Sequence, residues 1–111
     1  MPLTLATYAD VVVISLRDEL TGDEVEPFLQ QATAAADKDG IAMVIDCSGL
    51  RGMDSAGLEA LTELNDRCAA RMGVVKLCGL DETCSKILEL TRLNRQFECL
   101  PDLESAVQSF T

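Results

Sequence analysis

The sequence predicts an α/β fold: a mostly parallel sheet of four to five strands with about four helices, in the order ββαβαβαβα. Three observations carry this expectation. Strand-like and helix-like runs alternate with short links, as crossovers between parallel strands require. The run IAMVIDC, Ile41–Cys47, is apolar on both faces, as a strand covered from both sides of a sheet must be. The chain has 111 residues, 48% of them hydrophobic, enough for one core without disulfides or metals. Residues 1–111 are therefore expected to form one domain.

The elements follow in order. Leu3–Ala6 alternates weakly and predicts a short strand, with a turn at Tyr8–Asp10. Val11–Leu16 (VVVISL) is β-branched and continuous, the second arm of a hairpin. TGDE, Thr21–Glu24, has the form of a capping box, in which Thr21 accepts from the backbone of Glu24 and Glu24 reaches back. Val25, Phe28, Leu29, Ala32 and Ala36 then recur at helical spacing, and Gly40 ends that helix after DKD. The central strand Ile41–Cys47 is followed by SGLRG, read as a loop. Leu58, Leu61, Leu64, Cys68 and Met72 mark one face of a second helix that stops before Gly73. Val74–Cys78 is the next buried strand, and Asp81 can cap a helix carrying Cys84, Ile87, Leu88 and Thr91. Phe97–Leu100 is a short edge strand, and Asp102 can cap a last helix with Leu103, Ala106, Val107 and Phe110 on one side.

Composition removes several functions. Nineteen acidic against nine basic residues leave a net charge of −10, which repels nucleic-acid backbones and anionic membranes alike. No apolar run reaches the ~18 residues of a membrane span, and MPLTLATYAD has no leader character, so a soluble cytoplasmic protein is expected. The five cysteines form no C-x-x-C pair, and histidine is absent. A disulfide framework, Cys/His zinc sites, the Ser-His-Asp triad and the Cys-His dyad fall together, and no cofactor or metal is expected. A thiol enzyme using Cys47 or Cys78 has no cationic neighbour in sequence beyond Lys76.

The chemistry concentrates in DCSGLRGMDSAGL, Asp46–Leu58, where the central strand gives way to a helix. Ligands and partners of open α/β sheets meet the carboxyl ends of strands, and the N–H groups of a helix start favour an anion. A serine there can carry a phosphate; equally, either Asp54 or Ser55 can serve only as the helix cap. G-x-x-x-x-G-K-[ST] is absent, and Met53 stands where the first glycine of G-x-S-x-G belongs.

VIDCSGLRGMDSAGLEAL resembles the signature of STAS domains, in particular the bacterial anti-sigma factor antagonists. VVVISL, the Gly73 turn before VVKLCG, and LTRLNRQFECLPDLESAV extend the likeness over nearly the whole chain. The resemblance implies a non-enzymatic binding module with Ser55 as the phosphorylated residue. Its implied partners are an anti-sigma factor that is also a serine/threonine kinase, bound by the unphosphorylated form and released on phosphorylation, and a serine phosphatase. The free chain is expected to be a monomer. The partner-binding residues expected are Asp54, Ser55, Ala56, Gly57, Ser48, Thr21 and Asp23. Asp54 orients the serine or caps the helix, Gly57 admits close approach by a partner, and Asp46 braces the loop. Asp23 and Glu24 either share that face or simply offset the helix dipole. Three positions depart from the family pattern. Ala56 replaces a second serine, Gly52 a larger residue, which implies a looser loop, and Asp18 and Thr21 take the glycine and aspartate places of Gly-Glu-Leu-Asp. The alternative within the family is a scaffold or transporter-associated subunit without a phosphate switch.

Overall fold

The computed structural model describes residues 3–37 and 41–110. Its elements are β1 (Leu3–Tyr8), β2 (Val11–Leu20), α1 (Gly22–Ala36), β3 (Ala42–Met53), α2 (Ser55–Ala69), β4 (Val74–Cys78), α3 (Glu82–Leu90), a 3-10 turn at Leu93–Arg95, β5 (Glu98–Leu100) and α4 (Leu103–Gln108). The five strands lie side by side in chain order, with β1 antiparallel to β2 and the rest parallel. The element order and the mostly parallel sheet are those expected.

A sheet built strand after strand by right-handed crossovers receives every crossover helix on the same side. That side holds the main core: Ile14, Leu16, Met43, Ile45 and Cys47 of the strands against Phe28 and Ala32 of α1, Leu61 and Leu64 of α2, and Leu88 of α3. The alternate strand residues, Val11, Val13, Val44 and Cys78, form a smaller cluster with Ala106 of α4 on the opposite face. Lys76 also points to that face and is only 9% exposed. Its ammonium donates to Ser109 Oγ at 2.8 Å, lies 3.7 Å from Glu98 and sits 4.3 Å above the Phe110 ring, so a buried charge is well partnered.

The hairpin turn needs only two residues. Ala9 and Asp10 both take positive φ, 50° and 67°, which matches the right-handed twist of the flanking strands. Tyr8 therefore pairs with Val11 instead of belonging to the turn, and β1 outlasts its expected end at Ala6.

The largest correction is at the carboxyl ends of β2 and β3. SGLRG is not a loop but strand, and β2 runs on through the charged segment Arg17–Leu20 to pair with it. Arg17 faces Gly49, Asp18 faces Leu50, Glu19 faces Gly52 and Leu20 faces Met53, after register shifts between Ser15 and Arg17 and between Asp18 and Glu19. Those irregularities let buried Leu16, Leu20 and Leu50 keep the core side while the acids stay out. Asp18 adopts φ 64°, the left-handed region that favours glycine, which is the residue the family pattern has there. Gly52 is held in this ladder, so the looser loop implied by its small size is not found; a Cβ there would meet Glu19 at an ordinary 3.5 Å.

Smaller corrections concern helix ends. Thr21 is the N-cap residue of α1, but its side chain makes no capping hydrogen bond, so the expected capping box does not form. Met72 is 88% exposed with φ 63°, past the end of α2 rather than on its buried face. Gly73 is needed for space, since a Cβ would lie 2.8 Å from the Ile41 carbonyl oxygen. Thr91 closes α3 as its exposed C-cap. Gly40, the expected stop of α1, lies outside the described residues. Asp81 and Asp102 cap as expected, accepting from Cys84 N at 2.7 Å and Ser105 N at 2.8 Å.

Candidate functional site

The site forms where β3 ends and α2 begins. Asp54, between them, has extended backbone angles and serves as the N-cap: its Oδ1 accepts from Gly57 N at 2.9 Å, while its carbonyl accepts from Leu58 N at 3.0 Å. Of the two possible caps, Asp54 takes the role, and Ser55 becomes the first helical residue. Ser55 is exposed, and its hydroxyl has no hydrogen-bond partner among the described residues. No acidic side chain occupies the first turn of α2 itself, and the Asp54 cap offsets its positive end. The N–H groups of Ser55 and Ala56 are among the first-turn donors a helix cannot satisfy internally.

Asp54 also reaches out of its own helix. Its Oδ2 accepts from Gly22 N, the first residue of α1, at 3.1 Å, and its backbone N donates to Leu20 O at 3.3 Å. Beneath it, Gly57 is buried so closely on the Leu20 carbonyl that any Cβ would collide with that oxygen. The close approach Gly57 permits is thus internal, between α2 and the end of β2, rather than one offered to a partner.

These contacts bring the start of α1 beside the start of α2. Gly22, between Thr21 and Asp23 in the chain, is bonded to Asp54, which directly precedes Ser55 and Ala56; Asp23 is exposed, and Thr21 and Ala56 are half-buried. Glu24 instead faces a small recess shared with Arg17, Glu19 and Phe28. Ser48 is exposed but apart, set against Gly79 after β4. Five further residues of strand, about 16 Å at ~3.3 Å per residue, carry the chain from Ser48 to Met53. Asp46 braces its own segment as expected, with Oδ1 accepting from Ser48 N at 3.1 Å.

From Ser55 an open groove of ≈ 550 Å³ runs between α2 and the segment after α3, with Leu58 and Leu93 in its lining and Glu59, Glu63 and Asp66 along α2. Those acids recur at i, i+4, i+7, the spacing of one helix face, whereas nothing in the sequence places Leu93 on the other wall. Nothing in the local sequence around Gly22 signalled its tie to Asp54.

The thiols are poor nucleophiles. Burial, then the neighbouring Cys78, pushes the Cys47 thiol well up. Burial and the Asp46 carboxylate push Cys78 up to about 12, so neither provides a thiolate near neutrality. Four cysteines are buried and free, and Cys99 is exposed. Among the described residues no three Cys, Asp or Glu side chains gather as a metal site, and no helix is long and apolar enough to cross a membrane.

Comparison with known proteins agrees with this architecture. The STAS domain family matches residues 3–106. No curated protein sequence matches the chain. Among solved structures, an anti-sigma-factor antagonist (STAS) domain protein from Planctomyces limnophilus superposes with a TM-score of 0.88 at 24% identity, covering 96% of each chain. SpoIIAA, a Bacillus cell fate determinant solved in its phosphorylated form, gives 0.77 at 21% identity, covering 98% of this chain and 99% of that one. The murine anion transporter Slc26a9 gives 0.79 at 19% identity, covering 93% of this chain but 18% of the transporter. With a match over residues 3–106 and the same succession of strands and helices, this chain belongs to the STAS domain family.

Proposed function

We propose that this chain is an anti-sigma factor antagonist, a phosphorylation-controlled binding module and not an enzyme. Unphosphorylated at Ser55, it holds an anti-sigma factor that is also a serine/threonine kinase; phosphorylated, it lets go, and a serine phosphatase restores it. The observation that carries this reading is the division of labour at the start of α2. Asp54 does the capping, which leaves the Ser55 hydroxyl exposed and without a hydrogen-bond partner among the described residues. Thr62, by contrast, spends its hydroxyl on Leu58 O at 3.0 Å.

The switch follows from charge. A phosphate brings about −1.5 to −2 charge to a chain already at −10. At the N-terminus of α2 that charge is locally welcome, so the fold survives. In a tight interface it is costly unless an arginine answers it, so binding is lost without unfolding. Thr21, Asp23, Asp54, Ser55 and Ala56 form the proposed contact surface, with no nucleic acid and no membrane involved.

The test is phosphate mapping by mass spectrometry after incubating the purified chain with ATP and native lysate, for the wild type and Ser55→Ala. One phosphate at Ser55, absent from the variant, is expected. A phosphate on Ser48 or Thr62 with Ser55 untouched overturns the assignment. The likeness to Slc26a9 supports a second reading, a STAS module without a switch, in which Ser55 stays unmodified while Ser55→Asp binds its partner as tightly as the wild type does.

A further inference from the structure

We infer that Asp54 transmits the state of Ser55 to the start of α1, so that a phosphate on Ser55 is also felt at Gly22. This rests on Ser55 being the modified residue. The two oxygens of one carboxylate are shared between two helices: Oδ1 takes Gly57 N of α2 at 2.9 Å, and Oδ2 takes Gly22 N of α1 at 3.1 Å. The α1 start has no cap of its own, because the Thr21 side chain makes no capping bond. Asp54 is therefore the side chain that ties down the first amide of α1.

A phosphate on Ser55 would sit one residue from this carboxylate and at the same helix end. It would draw on the N–H groups of Ser55 and Ala56, and two anions a few ångströms apart repel. The carboxylate then gives up one of its two partners, and geometry says which. The Gly57 contact is the shorter and is part-buried, over a glycine seated on the Leu20 carbonyl; the Gly22 contact is longer and exposed. Gly22 is released, and the first turn of α1, with Thr21 and Asp23, loosens. A partner that touches both helix starts would meet a changed surface at both, one by charge and the other by geometry.

The experiment is ¹⁵N NMR at neutral pH on chains with phosphoserine genetically encoded at position 55, in the wild-type background and in Asp54→Ser. A serine still caps α2 through its single oxygen but is too short to span to Gly22. The phosphate is expected to move the Gly22 amide proton upfield and speed its exchange, while Gly57 keeps its shift. Asp54→Ser alone should reproduce the Gly22 shift, and phosphoserine added to that variant should move Gly22 no further. Asp54→Asn, which keeps one carbonyl acceptor of nearly the same reach, replaces Asp54→Ser should the latter fail to fold. An unmoved Gly22 in the phosphorylated chain, or an equal shift in the Asp54→Ser background, overturns the coupling. Because the phosphate is encoded, failure to find a kinase for Ser55 would overturn the proposed function and leave this result standing.

Discussion

The starts of α1 and α2 lie side by side and are held by different means. α2 is capped from within, by the residue that precedes it: Asp54 to Gly57, three positions on. The same local arrangement recurs at Asp81 with Cys84 and at Asp102 with Ser105. α1 begins after a threonine that could cap in the same way and does not; its first amide is satisfied by a carboxylate 32 residues later in the chain. A local cap works wherever its helix goes. A borrowed one works only while the two helix starts keep their relative position, which makes α1 the start sensitive to events at Ser55.

The comparison can be broken most severely at Gly57. Gly57→Ala pushes a Cβ onto the Leu20 carbonyl, a backbone atom that cannot swing away, so the α2–β2 contact must open. A loss of about 3 kcal/mol is expected, at the upper end for overpacking, read by urea denaturation. A variant as stable as the wild type would mean that this junction is not close-packed in solution.

Removing the shared carboxylate comes next. Asp54→Ala strips both helix starts at once and should cost about 1.5–2 kcal/mol, above the ~1 kcal/mol of an ordinary cap. Asp81→Ala, which empties a purely local cap, is the reference, and equal losses would show that the tie to Gly22 contributes nothing. Thr21→Ala and Ser55→Ala remove side chains without a capping bond, so each should stay within about 0.5 kcal/mol. A full cap-sized loss in Thr21→Ala would restore the capping box that the sequence predicts.

The smallest effect sharpens the local side of the comparison. The Ser105 N–H holds the exposed Asp102 carboxyl below its ordinary value of 3.8. A depressed folded value means that the cap stabilises α4 above the unfolded value and is lost as pH falls through the folded one. The Ser105 amide shift should therefore titrate below pH 3.8, and Asp102→Asn, which keeps an acceptor but no charge, should abolish that titration. A midpoint at or above the ordinary value would show that no bond to the carboxylate persists.

Much of the fold was legible because its signals are local and repeated. Val11–Leu16, Ile41–Cys47 and Val74–Cys78 carry the apolar, β-branched signature of inner strands, and they are inner strands, buried for the most part, with Val74 exposed at the start of the last. Asp81 and Asp102 stand at the right offset before apolar helical runs, and a cap needs nothing from the rest of the molecule. Ser48–Gly52, which the sequence presents as a loop, and Arg17–Leu20, which lies beyond the strand predicted to end at Leu16, are strand for the converse reason. Three consecutive charged residues, or two glycines in five, have no strand signature of their own. They are strand because each supplies the ladder that the other lacks, in a register set by bulges. The exposed place of Met72 followed likewise from the left-handed turn that ends α2, not from helical spacing.

By itself, then, the sequence determined the order and kind of the elements, the mostly parallel sheet, the absence of histidine-based chemistry and the segment that carries the candidate site. It also narrowed the helix cap to two neighbouring residues. The tertiary structure chose between them. Cap geometry depends on where the strand stops and where the next helix meets Leu20, and both are fixed by packing between β2, β3 and α2. With Asp54 turned toward Gly57 and Gly22, Ser55 is left exposed, its hydroxyl without a hydrogen-bond partner among the described residues. No pattern along the chain specifies that outcome, because hydrogen bonds between residues 32 positions apart exist only after the sheet has brought them together.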